Sequence, residues 1–83
     1  MKLLYFAWVR QKIGRSEETM ALPSGVATVG DLLDHLVTRA PEYREAFKDS
    51  ARLRCAVNQI HCDFAQPIKE DDEIAFFPPV TGG

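Results

Sequence analysis

Three side chains in the second half of the sequence, Cys55, His61 and Cys62, are of types that bind metal ions or act as nucleophiles. On a strand, adjacent residues point to opposite faces, so His61 and Cys62 do not converge on one site. A zinc ion usually takes four ligands, and this segment offers no third and fourth ligand. We therefore expect no metal site here, with Cys55 packed as a small core residue and both thiols reduced.

The acidic run from Glu70 to Glu73 is a second candidate, since carboxylates bind cations. Carboxylates in a short turn more often form a solvated surface, and we favour that interpretation. His35 lies off the apolar side of a predicted helix, and we assign it no role.

The C-terminal tail offers a different chemistry, that of a terminal carboxylate at Gly83. Its residues are Pro78, Pro79, Val80, Thr81, Gly82 and Gly83. The two glycines lack Cβ atoms and can enter a narrow channel, in which the valine and threonine would fix the register. The two prolines favour an extended backbone, so six residues at ~3.3 Å each project the terminus about 20 Å. A frayed chain end is the alternative, but the Pro-Pro pair after a strand favours a functional tail.

The tail must be positioned by the secondary-structure elements that precede it. Alternating apolar residues and turn residues predict strands over Lys2–Val9, Glu18–Leu22, Leu53–Val57, Ile60–Cys62 and Ile74–Phe77. Apolar residues recur at helical spacing from Val29 to Ala40, and Thr28 with Asp31 forms a predicted cap. Pro41 ends this helix and is compatible with the start of a second, short one.

This order of elements predicts an α+β domain, with a mixed sheet of about five strands and helices on one face. A β-grasp, ubiquitin-like topology fits it. We expect the domain to comprise residues 1–77, followed by an extended tail over residues 78–83.

Size and charge exclude several classes of function. With 83 residues, the chain fits one modest core and leaves little room for an enclosed active site. The 10 basic residues are outnumbered by 12 acidic ones, which argues against a nucleic-acid partner. The apolar run Leu3–Val9 is far shorter than the ~20 residues that span a membrane. It also does not resemble a signal peptide, so we expect a cytoplasmic protein.

Four segments together resemble the small subunit of molybdopterin synthase, and the resemblance spans the whole chain. They are Leu3–Arg10, Val57–Gln59, Asp72–Ala75 and the ending Phe76–Gly83. The ending PPVTGG and the segment VNQ are the most specific of them.

The resemblance implies that Gly83 is the reactive residue of a sulfur carrier. A ubiquitin-activating-type adenylyltransferase would use ATP to convert its carboxylate to an acyl-adenylate, and a sulfur donor protein would then replace AMP to leave a thiocarboxylate. The large subunit of the synthase would receive the tail and supply the catalytic groups, in a heterotetramer of two small and two large subunits. The chain would therefore be no enzyme by itself and would hold no permanent cofactor.

In the first and last predicted strands, the residues that point to either face of the sheet are apolar. A helix layer, however, covers only one face of a sheet. With Tyr5 and Phe76 on the covered face, Phe6, Trp8 and Phe77 would lie on the open face, where apolar surface marks an interface. The resemblance implies that this face meets the large subunit and the activating enzyme. The expected partner interface comprises Phe6, Trp8, His61 and Phe77.

Two alternatives share the Gly-Gly ending. One is a ubiquitin-like modifier joined to target proteins through Gly83. The other is a sulfur carrier for thiamine or cysteine biosynthesis. The segment Phe76–Val80 favours the molybdopterin pathway over this second alternative.

Overall fold

The structure is a computed structural model that describes residues 1–79, so the predicted tail residues Val80, Thr81, Gly82 and Gly83 lie outside the described residues. Residues 1–79 form one sheet of five strands and three α-helices. The elements are β1 (Lys2–Tyr5), α1 (Ala7–Ile13), β2 (Glu17–Thr19), α2 (Val29–Val37), α3 (Pro41–Phe47), a 3-10 turn (Ser50–Arg52), β3 (Arg54–Val57), β4 (Ile60–Cys62) and β5 (Glu73–Phe77).

The sheet has the strand order β2-β1-β5-β3-β4, which places the last strand in the centre. β5 runs parallel to β1 and antiparallel to β3, while the β1–β2 and β3–β4 pairs are antiparallel. The sheet is therefore mixed, as predicted. The central position of β5 means that its backbone is hydrogen-bonded on both sides up to the point where the tail begins.

One face of the sheet carries the hydrophobic core. Side chains alternate across a strand, and every second residue of β1, β3 and β5 is buried against the helices. The sheet residues in this cluster are Leu3, Tyr5, Cys55, Val57, Ile74 and Phe76. Helix residues such as Leu32, Leu36 and Phe47 cover them, so the helices lie on one face of the sheet as expected.

The signals for the starts of α2 and α3 are confirmed, but the predicted end of the first of these helices at Pro41 is wrong. α2 ends at Val37, where the Thr38 hydroxyl donates to the His35 carbonyl at 2.6 Å. The Thr28 hydroxyl accepts a hydrogen bond from the Asp31 amide at 3.1 Å, and the Asp31 carboxylate accepts one from the Thr28 amide at 3.2 Å. These two bonds satisfy amides that have no partner inside the first turn of a helix. Pro41 occupies the first turn of α3. None of the helices within residues 1–79 is long and apolar enough to cross a membrane.

The predicted first strand, Lys2–Val9, is wrong beyond Tyr5. The chain turns at Phe6 and Ala7, whose φ is 53°, and continues as α1 until Gly14 ends the helix with φ 89°. Val9 and Ile13 are buried four residues apart, which is the spacing of one helix face. The aromatic and branched residues of Lys2–Val9 suggested one long strand. The packing of Val9 and Ile13 into the core instead favours a helix after Tyr5. The second strand also differs, since it covers Glu17–Thr19 and not Glu18–Leu22.

A polar cluster joins the edge strand β2 to the helices. The Glu18 carboxylate, whose side chain is 7% exposed, accepts hydrogen bonds from the hydroxyls of Tyr5 at 2.8 Å and Tyr43 at 2.5 Å. The Arg39 guanidinium donates another at 3.1 Å and lies over the Tyr43 ring. Burial raises the pKa of Glu18, but these three donors outweigh burial and lower the pKa overall. The ionised carboxylate therefore stabilises the fold.

Candidate functional site

The root of the tail is the end of the central strand β5. Tyr5 of β1 lies opposite Phe76, and Arg54 of β3 lies opposite Phe77, so both neighbouring strands hold this end. The partly buried Pro78 and Pro79 follow directly and have no amide hydrogen to continue the ladder. Because β5 is fixed on both sides, the chain leaves the sheet at a defined place.

Asn58 fixes the opposite end of β5. Asn58 and Gln59 have φ values of 51° and 70°, typical of the tight turn that joins β3 to β4. The Asn58 side chain accepts a hydrogen bond from the Glu73 amide at 3.0 Å and donates one to Asp72 at 2.9 Å. Its backbone amide donates to the Glu73 carbonyl at 2.8 Å. This residue therefore aligns the start of the strand that carries the tail.

Two carboxylates of the acidic run have structural partners. The carboxylates of Asp72 and Glu70 accept hydrogen bonds from the amides of Lys69 and Leu22, each at 2.8 Å. The run is a turn on the surface, as expected. The Asp72 bond closes the turn, and the Glu70 bond ties it to the loop that contains Leu22. Among residues 1–79, no three histidine, cysteine or acidic side chains lie together in a way that would hold a metal ion.

The sheet face away from the helices is here called the open sheet face. Strand pairing places its residues side by side: Leu4 opposite Ala75, Ala75 opposite Ala56, Ala56 opposite His61, and Arg54 opposite Phe77. The face is therefore defined by Leu4, Arg54, Ala56, His61, Ala75 and Phe77. Most of its centre is apolar.

Two predicted interface residues meet on the open sheet face. The rings of His61 and Phe77 have centroids 5.0 Å apart, which places the imidazole against the aromatic residue at the root of the tail. Phe6 lies at the same end of the sheet, where its amide donates to the Phe76 carbonyl at 3.1 Å, and its side chain is 46% exposed. The structure thus brings three of the four predicted residues to the end of the sheet from which the tail leaves.

Trp8 was expected on the open sheet face, and that placement is wrong. It belongs to α1 because the first strand ends at Tyr5, and it borders a shallow cavity with Lys12, Glu45 and Arg52 on the helical side. The missed signal was the pair Val9 and Ile13, which marks a helix and moves Trp8 off the sheet.

The two cysteines lie on the core side of β3 and β4. Cys55 is buried and Cys62 is partly buried, with their sulfur atoms 3.6 Å apart. His61, the residue before Cys62, lies on the open sheet face. The predicted division of His61 and Cys62 between two faces is therefore confirmed, as is the core position of Cys55.

A mixed five-stranded sheet with helices on one face, whose central last strand leads into a Gly-Gly tail, defines a ubiquitin-like protein of the β-grasp fold. A model of the ThiS family matches residues 3–83, and the chain belongs to that family.

Similar proteins of known name cover the chain from end to end. The molybdopterin synthase sulfur carrier subunit of Escherichia coli (strain K12) is 39% identical, over 100% of this chain and 99% of that protein. The subunit of the same name from Haemophilus influenzae is 35% identical with the same coverage. The crystal structure of small archaeal modifier protein 1 of Haloferax volcanii is 29% identical, has a TM-score of 0.76, and matches over 96% of this chain and 97% of that one.

Proposed function

We propose that this chain is the sulfur carrier subunit of a molybdopterin synthase. The observation that carries the proposal is the central strand β5, which is held on both sides and leads directly into the sequence PPVTGG. End-to-end similarity to two molybdopterin synthase sulfur carrier subunits supports the same function.

The proposed chemistry takes place at the Gly83 carboxylate. Oxide is a poor leaving group, so the carboxylate first attacks the α-phosphate of ATP, forming an acyl-adenylate and releasing pyrophosphate. A sulfur donor protein then supplies sulfide sulfur, which displaces AMP and leaves a thiocarboxylate. In the synthase this sulfur attacks a cyclic pterin precursor, and two such transfers build a dithiolene. ATP is consumed by the activating enzyme and is not bound by this chain as a cofactor.

The tail residues have separate roles in the proposal. The two prolines keep the backbone extended, and Gly82 and Gly83 pass through channels too narrow for a side chain. Val80 and Thr81 contact the channel walls and fix the register. The acids, bases and oxyanion donors belong to the large subunit, so this chain is the sulfur-donating part of a larger enzyme.

The open sheet face is the proposed docking surface for the large subunit and for the ubiquitin-activating-type adenylyltransferase. Phe77 and His61 lie beside the root of the tail, and Phe6 extends the apolar surface at the same end. A partner that covers this surface would also receive the tail. Trp8 on the helical side is not part of this surface. We further propose a cytoplasmic heterotetramer of two small and two large subunits.

The direct test is reconstitution with purified partners. The chain is incubated with its adenylyltransferase, ATP and a sulfur donor, and its intact mass is measured before and after addition of the large subunit and the pterin precursor. We expect thiocarboxylate to form and then to disappear as molybdopterin appears. Thiocarboxylate that the large subunit never consumes would reject the proposed pathway.

A second candidate is a protein modifier, favoured by the similarity to small archaeal modifier protein 1 of Haloferax volcanii. In that case Gly83 would form isopeptide bonds with lysine side chains of other proteins. Trypsin digestion of cell extracts and mass spectrometry would distinguish the two functions, because a modifier leaves the segment Glu70–Gly83, which follows Lys69, on target lysines and a dedicated carrier does not.

A further inference from the structure

The structure brings the two cysteines of the chain into contact across a pair of antiparallel strands. Cys55 of β3 lies directly opposite Cys62 of β4, and their Sγ atoms are 3.6 Å apart. Directly opposed residues in such a pair have Cα atoms about 4.5 to 5.5 Å apart, within the range that a disulfide bridges. A disulfide needs the sulfur atoms at about 2.05 Å, so small side-chain rotations suffice.

The two thiols differ in access. Cys55 is 1% exposed, and its Sγ donates a weak hydrogen bond to the Cys62 carbonyl at 3.4 Å. Cys62 is partly buried and borders a shallow cavity of about 260 Å³ with Leu53 and Phe64 among its walls. A small oxidant therefore reaches Cys62 first. Burial raises the pKa of Cys55 to about 12, so Cys55 is a poor first nucleophile.

We propose that Cys55 and Cys62 are a redox-sensitive pair that closes to a reversible disulfide when the protein meets a peroxide. In the first step the Cys62 sulfur attacks the peroxide O–O bond and becomes a sulfenic acid, while the peroxide leaves as an alcohol or water. In the second step the Cys55 sulfur attacks the sulfenic sulfur, an S–S bond forms, and water leaves. The two thiols supply the two electrons that reduce the peroxide.

Contact between the two sulfur atoms makes the second step intramolecular. Such a step outcompetes reaction with a second protein molecule or further oxidation of Cys62. The new bond ties the edge strand β4 to β3, which in turn pairs with β5 as far as Phe77. Oxidation would therefore brace the hairpin beside the root of the tail. This inference does not depend on the sulfur carrier function.

The test uses the full chain, reduced first and then treated with hydrogen peroxide or with mixtures of reduced and oxidised glutathione. Intact mass, thiol labelling with a maleimide and peptide mapping follow the products. We expect both thiols to disappear together, a monomer lighter by two hydrogen atoms, and full reversal by dithiothreitol. We also expect the oxidised form to melt about 5 to 15 °C higher, because the bridge restricts the unfolded chain.

A matched variant identifies the order of the steps. In Cys55→Ala, Cys62 loses its partner, so we expect a sulfenic acid that a dimedone probe traps, together with dimers linked through Cys62. Should this variant fail to fold, the glutathione titration of the unaltered protein still decides the question. Two thiols that persist in an oxidising glutathione mixture, or oxidation that yields only dimers or sulfinic acid in the unaltered protein, would overturn the proposal.

Discussion

Phe76 and Phe77 are adjacent on β5 but point to opposite faces, and their truncation should have opposite consequences. Phe76 is 0% exposed and packs against Tyr5 and Phe47, with ring centroids 6.3 and 5.3 Å away. Phe77 is partly exposed beside His61. One pair of variants, Phe76→Ala and Phe77→Ala, therefore separates core from docking surface within a single strand.

The expected magnitudes follow from this difference in burial. Phe76→Ala should lower the free energy of unfolding by about 3 to 5 kcal/mol, a large share of the ~4 to 12 kcal/mol expected for a chain of this length. Phe77→Ala should cost less, about 1 to 2 kcal/mol of stability, because Phe77 is only partly buried and lies on the face away from the helices. An aromatic anchor at an interface contributes ~2 kcal/mol or more, so Phe77→Ala should weaken large-subunit binding about thirtyfold.

Thermal melts and calorimetric titrations of each variant with the large subunit measure both quantities. We expect Phe77→Ala to melt well above Phe76→Ala and to bind weakly. If Phe77→Ala instead unfolds as readily as Phe76→Ala, or folds normally and binds with undiminished affinity, the assignment of Phe77 to a docking surface is refuted.

Three further predictions concern other parts of the chain. Glu18→Gln should lower the free energy of unfolding by about 2 kcal/mol at neutral pH, because three donors lose their charged acceptor, whereas Glu17→Gln on the exposed side should change little. The pKa of Glu18 in the folded protein is below its ordinary value of 4.5, so the carboxylate stabilises the fold fully above that pH, and this stabilisation is lost as the pH falls through the lower folded value. In urea titrations between pH 3 and 7, the free energy of unfolding of Glu18→Gln should therefore fall less on acidification than that of the unaltered protein. Replacing both Cys55 and Cys62 with serine should leave sulfur loading intact in the folded protein, since the sulfur is carried on the terminal carboxyl, and loss of loading in a folded double variant would implicate a protein thiol. Deleting Gly83, or adding a residue after it, should abolish adenylation without changing the circular dichroism spectrum, and unchanged thiocarboxylate yield in either variant would contradict the carrier function.

Local signals in the sequence predicted those elements whose ends are chemically marked. Thr28, Asp31 and Pro41 determine where α2 and α3 begin because they act on neighbouring backbone groups. The first strand was extended too far because Phe6 to Val9 suits either a strand or a helix. Contacts with α3 and the core, which the sequence does not display, select the helix there.

The candidate site was predictable where it depends on alternation along a strand. That rule correctly separates Phe76 from Phe77 and His61 from Cys62. The contact between Cys55 and Cys62 was missed although the turn at Asn58–Gln59 leaves them at equal distances on either side. The Glu18 cluster was not predictable, because its donors come from β1, α3 and the turn that joins α2 to α3, which only the folded chain brings together.

The most direct test of the central claim is the intact mass of the protein after incubation with its adenylyltransferase, ATP and a sulfur donor. We predict a product heavier by the mass difference between sulfur and oxygen, with the change confined to the C-terminal peptide and absent when ATP is omitted. An unchanged mass, obtained with an activating enzyme that is shown to load another carrier in the same assay, would contradict the claim that this chain carries sulfur on Gly83.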